Sequence, residues 1–209
     1  MACIQWWFNR DKIIPTKFPI CLTDKEQAVL SKYLKTAKIY LEYGSGGSTF
    51  LALINSNAKV YSVESDSAWL THLRTYKIIR NAEKDKRLHL EHINIGQTTT
   101  WGTPINGRLR INYPQYSMAI FNQLHKQPID FIFIDGRFRV ACTLAAVAHS
   151  SATTRIAIHD YTFRAEYHIV EEFLDIEQIQ DTLVIFRQKP NCTQKRLKQM
   201  WEKYKFVTD

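Results

Sequence analysis

A glycine-rich turn and two carboxylates are the first residues in this sequence placed to do chemistry. The run Glu42-Tyr43-Gly44-Ser45-Gly46-Gly47-Ser48-Thr49 follows an apolar stretch and precedes a helical pattern. A turn of this kind lets the backbone approach a ligand closely and points helix N-terminal amides at it. Its spacing departs from G-x-G-x-x-G, because Thr49 stands where the third glycine would be. It also lacks a phosphate-loop lysine, which argues against nucleoside triphosphate hydrolysis. Glu42 suits a cationic or hydrogen-bond-donating ligand better than a pyrophosphate. Glu64 lies twenty-two residues further on, at the end of the next apolar run. A carboxylate there can accept both hydroxyl hydrogen bonds of a ribose.

These residues need a scaffold that brings strand ends together, and the hydrophobic pattern supplies one. Thr23 and Glu26 form a capping box, and Val29, Leu30, Tyr33, Leu34 and Ala37 share a helical face. Strands are expected at 39–43, 60–64, 88–93, 129–134 and 155–158, the fourth almost wholly apolar, as a central parallel strand would be. Helices are expected at 48–55, after Asp66 or Ser67, through 140–148 and at 165–174. Runs 176–180 and 183–188 flank Asp181-Thr182 and read as an antiparallel hairpin. The pattern predicts an α/β fold: a doubly wound, mostly parallel seven-stranded sheet with a C-terminal antiparallel hairpin and an aromatic N-terminal arm. All seven glycines (44, 46, 47, 96, 102, 107 and 136) fall after strands or in strand-exit loops, on the expected ligand edge.

Composition sets the outer bounds. The chain has 209 residues, 45% hydrophobic and 23% charged, which excludes a disordered chain, a fibrous repeat and a disulfide-stapled miniprotein. One domain is expected: an arm at 1–22 carrying Trp6, Trp7 and Phe8, a core at 23–190, and a basic helix at 191–209. No apolar window reaches membrane-span length, and polar residues at once interrupt the aromatic cluster, so neither a span nor a signal peptide is expected. Scattered cysteines without C-x-x-C spacing read as reduced thiols of a cytoplasmic protein. The net charge of +8 attracts anionic partners at long range. The basic C-terminal stretch reads as a solvated helix face before a nucleic-acid or membrane patch. The arm is expected to cover the ligand edge, pack on the core or form a homodimer contact.

The stretches Glu42-Tyr43-Gly44-Ser45-Gly46, Val63-Glu64, Phe131-Ile132-Phe133-Ile134-Asp135-Gly136 and Ile158-His159-Asp160-Tyr161 resemble the class I S-adenosylmethionine-dependent methyltransferases. The run Ile134-Asp135-Gly136-Arg137-Phe138-Arg139, followed by Ile158-His159-Asp160-Tyr161, resembles a small bacterial subset associated with O-methylation of glycans or secondary metabolites. The resemblance implies S-adenosylmethionine as cofactor, held by Glu42, Gly44, Ser45, Gly46, Ser48 and Thr49, with Glu64 on the ribose. Many members carry an acid after the third strand; here Asn94 is the nearest candidate for the adenine contact.

An alcohol acceptor must lose a proton to a base or a metal. Asp135 and Asp160 are expected to end adjacent strands. As a pair they resemble the acids of metal-dependent catechol-type O-methyltransferases and suit a hard cation such as Mg2+. Alternatively His159 is the base and Asp160 orients it, or Asp135 contacts cofactor or loop amides and His159-Asp160 caps a helix. Arg137, Arg139 and Arg164 suggest a small or glycan-like acidic acceptor. The competing reading is salt bridges to Asp135, Glu166 or Glu171. The segment 94–113, with Trp101, reads as a cofactor or acceptor lid. The rival functions are a nicotinamide-dependent oxidoreductase and a non-catalytic module binding RNA or acidic glycan.

Overall fold

The computed structural model describes residues 10–12, 14–15, 17–99, 101–124 and 127–208, so Trp6, Trp7 and Phe8 lie outside it. Helix α1 (Asp24–Leu34) starts at the expected capping box of Thr23 and Glu26. There follow β1 (Ile39–Tyr43), α2 (Gly47–Asn55), β2 (Lys59–Glu64), α3 (Ser67–Leu73), α4 (Lys77–Lys84) and β3 (Leu88–His92). Then come α5 (Tyr113–Met118), α6 (Ile120–Leu124), β4 (Phe131–Ile134), α7 (Arg139–His149) and β5 (Arg155–Ile158). The hairpin β6 (Leu174–Gln180) and β7 (Leu183–Gln188) precedes α8 (Gln194–Tyr204). The sheet order is β3-β2-β1-β4-β5-β7-β6. β1 to β5 pair in parallel, and β7 runs antiparallel to both of its neighbours.

The two-residue period of the strands sorts their side chains onto two cores. Tyr40, Val60, Phe131, Phe133 and Ala157 pack under Leu30 and Leu34 of α1, Phe50 of α2 and Ile79 of α4. Leu41, Tyr43, Ile132, Ile134 and Ile158 pack under Tyr116 of α5, Leu144 of α7 and Leu197 of α8. Parallel strands covered on both faces must be apolar throughout, and β4 is buried at every position.

Several boundaries differ from expectation. The segment expected to form a helix at 165–174 is a 3-10 run (Ala165–Glu172), and β6 begins at Leu174. The helix expected after Asp66 or Ser67 ends at Leu73, and Tyr76 caps the separate helix α4. Among its described residues, the stretch 94–112 has only a bridge between Thr98 and Pro104 and a 3-10 turn (Arg110–Asn112) before α5. In α8 the buried side chains Leu197 and Met200 face the core, while Lys195, Lys198 and Lys203 are solvated. No helix among the described residues is long and apolar enough to cross a membrane. Among the described cysteines, Cys21, Cys142 and Cys192, none is disulfide-bonded.

Candidate functional site

Strand β1 lies between β2 and β4, so the chain leaves its carboxyl end in one direction and returns beside it from the other. Such a switch point opens a crevice at the strand ends. Here the two exit turns touch. A Cβ on Gly44 (φ +92°) would lie 2.8 Å from the Gly136 amide nitrogen, and one on Gly136 would collide with the Tyr116 hydroxyl. Residue 47 must also be glycine-sized, since a Cβ there would come within 2.6 Å of Ile20 in the arm. The arm is anchored next to that contact by Phe18, stacked on Phe50 at 4.9 Å. The resulting cavity, of about 860 Å³, is lined by Gly44, Ser45, Gly46, Ser48 and Glu64 on one side. Asp135, Arg137, Arg139, His159, Asp160 and Arg164 line the other.

Glu42 and Thr49 do not line this cavity, contrary to expectation. Alternation puts Glu42 on the same sheet face as Tyr40, beneath the start of α2. Its carboxylate is fully buried and accepts hydrogen bonds from Tyr40 Oη (2.9 Å), Ser48 Oγ (2.6 Å), Ser62 Oγ (2.7 Å) and Thr49 Oγ1. Burial raises its pKa, and the hydroxyl donors offset only part of that. Thr49 Oγ1 also accepts from the Gly46 amide at 2.9 Å. Glu42 therefore braces the glycine turn from below.

Glu64 does reach the cavity. Its Oε1 accepts from Ser65 N (2.6 Å), Ser65 Oγ (3.2 Å) and Asp66 N (3.0 Å), and its Oε2 from Ser45 N (3.2 Å). Burial raises its pKa against these donors. Trp69 also lines the cavity and donates Nε1 to Ser45 O at 2.7 Å. Asn94 is a second departure. It is exposed and accepts from Gly96 N at 3.0 Å, and it is not among the lining residues. That side is formed instead by Thr99, Trp101, Gly102, Thr103 and Tyr116. The segment expected to be a lid thus contributes Trp101, Gly102 and Thr103 to the cavity wall. Tyr116 escaped notice because the short helix carrying it has no strong period.

Asp135 and Asp160 end the adjacent strands β4 and β5 and converge as expected, but their partners differ from those expected. His159 Nδ1 lies 2.9 Å from Asp135 Oδ1 and 3.7 Å from Asp160 Oδ1, so Asp135 orients the ring. His159 Nε2 lies 3.5 Å from Glu26 Oε2. Burial disfavours the imidazolium, but the Asp135 hydrogen bond and the fields of Asp135, Asp160 and Glu26 outweigh it and raise the His159 pKa. Glu26 also accepts from Thr182 and Leu183 amides at 2.9 and 3.1 Å. Burial opposes its ionisation, yet the hydrogen bonds from Thr23 and Thr182 and the field of His159 hold its pKa low. Asp160 adopts φ +55°, a left-handed conformation that costs a non-glycine residue about 1–3 kcal/mol.

Arg139, expected to contact an acceptor, is instead 3% exposed and sits behind these acids. Its Nη2 lies 3.2 Å from Asp135 Oδ1 and 3.3 Å from Asp160 Oδ2. Its remaining N–H groups meet the carbonyls of Asp135, Gly136 and His159. Donor atoms of Asp135, His159 and Asp160 lie within 4.8 Å of one another, a spacing that could surround an ion. The set nevertheless does not fit a divalent cation. The ion would stand beside the guanidinium, and a double charge about 4 Å from a like unit charge is repelled by about 8 kcal/mol at an effective dielectric near 20. The expected Mg2+ site gives way to a cluster closed by the chain's own cation. Arg137 Nη1 reaches Thr103 Oγ1 at 3.5 Å, and Arg164 lies over Tyr167 at 5.5 Å with its buried Nε unpartnered among the described residues.

No protein-family model and no curated protein matches the chain by sequence. Solved structures do match. A methyltransferase-like protein from Silicibacter pomeroyi is 27% identical with a TM-score of 0.78, over 92% of this chain and 99% of that one. A methyltransferase from Geobacter sulfurreducens matches at 11% identity and TM-score 0.50, over 80% and 79%. An SAH-bound methyltransferase from Podospora anserina matches at 14% and 0.50, over 90% and 87%.

Proposed function

The chain has the fold of the class I methyltransferases, and from that premise we propose that it transfers a methyl group from S-adenosylmethionine to an oxygen of a small or glycan-like acidic acceptor. The observation that carries the reading is the placement of Glu64. Its carboxylate is pinned beside the glycine turn by the Ser45 amide, at the edge of the switch-point crevice. When bound, the cofactor supplies a sulfonium-activated methyl group. The work left to the protein is alignment, exclusion of water and removal of the acceptor proton.

Each task has residues suited to it. Ser45, Gly46 and Ser48 present backbone at close range, and Glu64 Oε2 accepts from a ribose hydroxyl. Trp101 and the arm residues Ile20 and Leu22 wall the crevice against water. For proton removal the favoured group is Asp160, whose side chain is 30% exposed at the cavity wall. His159 is less suited, since it faces carboxylates with both ring nitrogens. Asp135, His159 and Arg139 then hold Asp160 in place. Arg164, with an unpartnered Nε at the cavity, supports an anionic acceptor group. The exposed ring of Trp101 at the cavity wall suits a ring-bearing one.

The test is calorimetric titration with S-adenosylhomocysteine, with NADH as control. Saturable binding of the first alone is expected. Binding of NADH alone would establish the oxidoreductase instead, and binding of neither, with steeply salt-dependent RNA binding, the non-catalytic module.

A further inference from the structure

The carboxyl ends of β4 and β5 hold two carboxylates that face each other across one side chain, and that side chain is a cation built into the fold. Arg139 is the first residue of α7, four positions after Asp135. A positive charge is poorly placed at a helix N-terminus, where the backbone dipole is itself positive. Phe138, which introduces the helix, adopts φ +56°, and Asp160 adopts φ +55°. The chain thus accepts an unfavourable charge position and two left-handed residues in order to seat one guanidinium between two acids. Nη2 is nearly equidistant from Asp135 Oδ1 (3.2 Å) and Asp160 Oδ2 (3.3 Å). The carbonyls of Asp135, Gly136 and His159 complete its shell, so both turns leaving the strands are tied to it.

We propose that Arg139 is a positioning residue that does for Asp135 and Asp160 what a bound divalent ion would otherwise do: it neutralises them and holds them together at the cavity wall. Two consequences follow. The wild-type cluster has no affinity for a divalent cation. Removing the guanidinium charge converts Asp135, His159 and Asp160 into a cation site, because their donor atoms already lie within 4.8 Å of one another and oxygen-rich sets suit hard ions. The proposal stands on the ion cluster and not on the methyl-transfer reading, so failure to bind S-adenosylhomocysteine would leave it intact.

The experiment is Mn2+ titration of cofactor-free protein, followed by the paramagnetic resonance signal of free Mn2+ and by thermal melting. Wild type and Arg139→Lys, which keeps the charge, should show no saturable binding at millimolar Mn2+ and no change in melting temperature. Arg139→Gln and Arg139→Ala should melt lower, bind one Mn2+ at least tenfold more tightly than wild type, and regain melting temperature when Mn2+ is added. Adding Asp160→Asn to either should abolish the gain. An arginine with a merely packing role would lose stability without Mn2+ rescue, and that result in a folded variant overturns the proposal. Where neither neutral variant folds, wild type decides. One-site Mn2+ binding that Asp160→Asn removes overturns the proposal, and its absence alongside the Arg139→Lys result supports it.

Discussion

Replacing Glu64 by glutamine tests the cofactor side of the crevice most directly. Glu64 Oε1 already accepts three bonds from Ser65 and Asp66, whereas Oε2 accepts only one, from Ser45 N at 3.2 Å. A carboxylate has about four acceptor positions, so the capacity left for a ligand lies on Oε2. One charge-assisted bond is worth about 1.5–3 kcal/mol. Its loss should weaken S-adenosylhomocysteine binding by roughly ten- to hundredfold, at about 1.4 kcal/mol per factor of ten. Stability should change little, by about 1 kcal/mol at most, because two effects oppose. Burial, which raises the Glu64 pKa, favours the neutral amide. Against that, the glutamine NH2 would meet the Ser45 N–H, donor to donor. Calorimetry gives the affinity and urea unfolding the stability. An affinity within twofold of wild type in a folded variant would refute the placement of the ribose on Glu64.

Three further outcomes are expected. Gly136→Ala should destabilise the protein by about 1–3 kcal/mol through overpacking against Tyr116 Oη. Tyr116→Phe should restore part of that loss in urea unfolding, and an equal loss in both backgrounds would show that the hydroxyl is not the obstacle. His159 has a folded-state pKa above its unfolded value, so its contribution to stability is complete below about pH 6.5 and is lost as pH rises through the folded value. Melting temperature should therefore decline across that window in wild type and not in His159→Asn; parallel curves would count against the charged ring. Asp160→Asn should reduce turnover of the first acceptor found by about a hundredfold or more while leaving S-adenosylhomocysteine affinity unchanged. Near-normal turnover would remove Asp160 as proton acceptor.

The architecture was largely legible because it depends on local pattern. The capping box of Thr23 and Glu26, the strands Ile39–Tyr43 and Arg155–Ile158, and the start of β7 at Leu183 all appear where alternation or capping residues place them. The misses fall where local signals are weak. The segment 165–172 has apolar spacing compatible with a helix, but its i to i+3 bonds make it 3-10. The short helices at 113–124 are too brief for a period to show.

The site was legible as a set of residues and not as a set of partners. Sequence alone determined that Gly44, Ser45, Gly46, Glu64, Asp135, His159 and Asp160 gather at one edge of a parallel sheet, since strand ends in this topology converge there. It could not say which face of β1 receives Glu42, because that depends on which helices cover the face. Nor could it pair His159 with Glu26, which precedes it by more than a hundred residues. Only the tertiary structure decided that Arg139 turns inward to the acids while Arg164 stays at the cavity. Both are arginines just after strands, and their charges are alike. What separates them is the set of carbonyls and carboxylates that each backbone turn brings within reach, and that is a property of the packed fold.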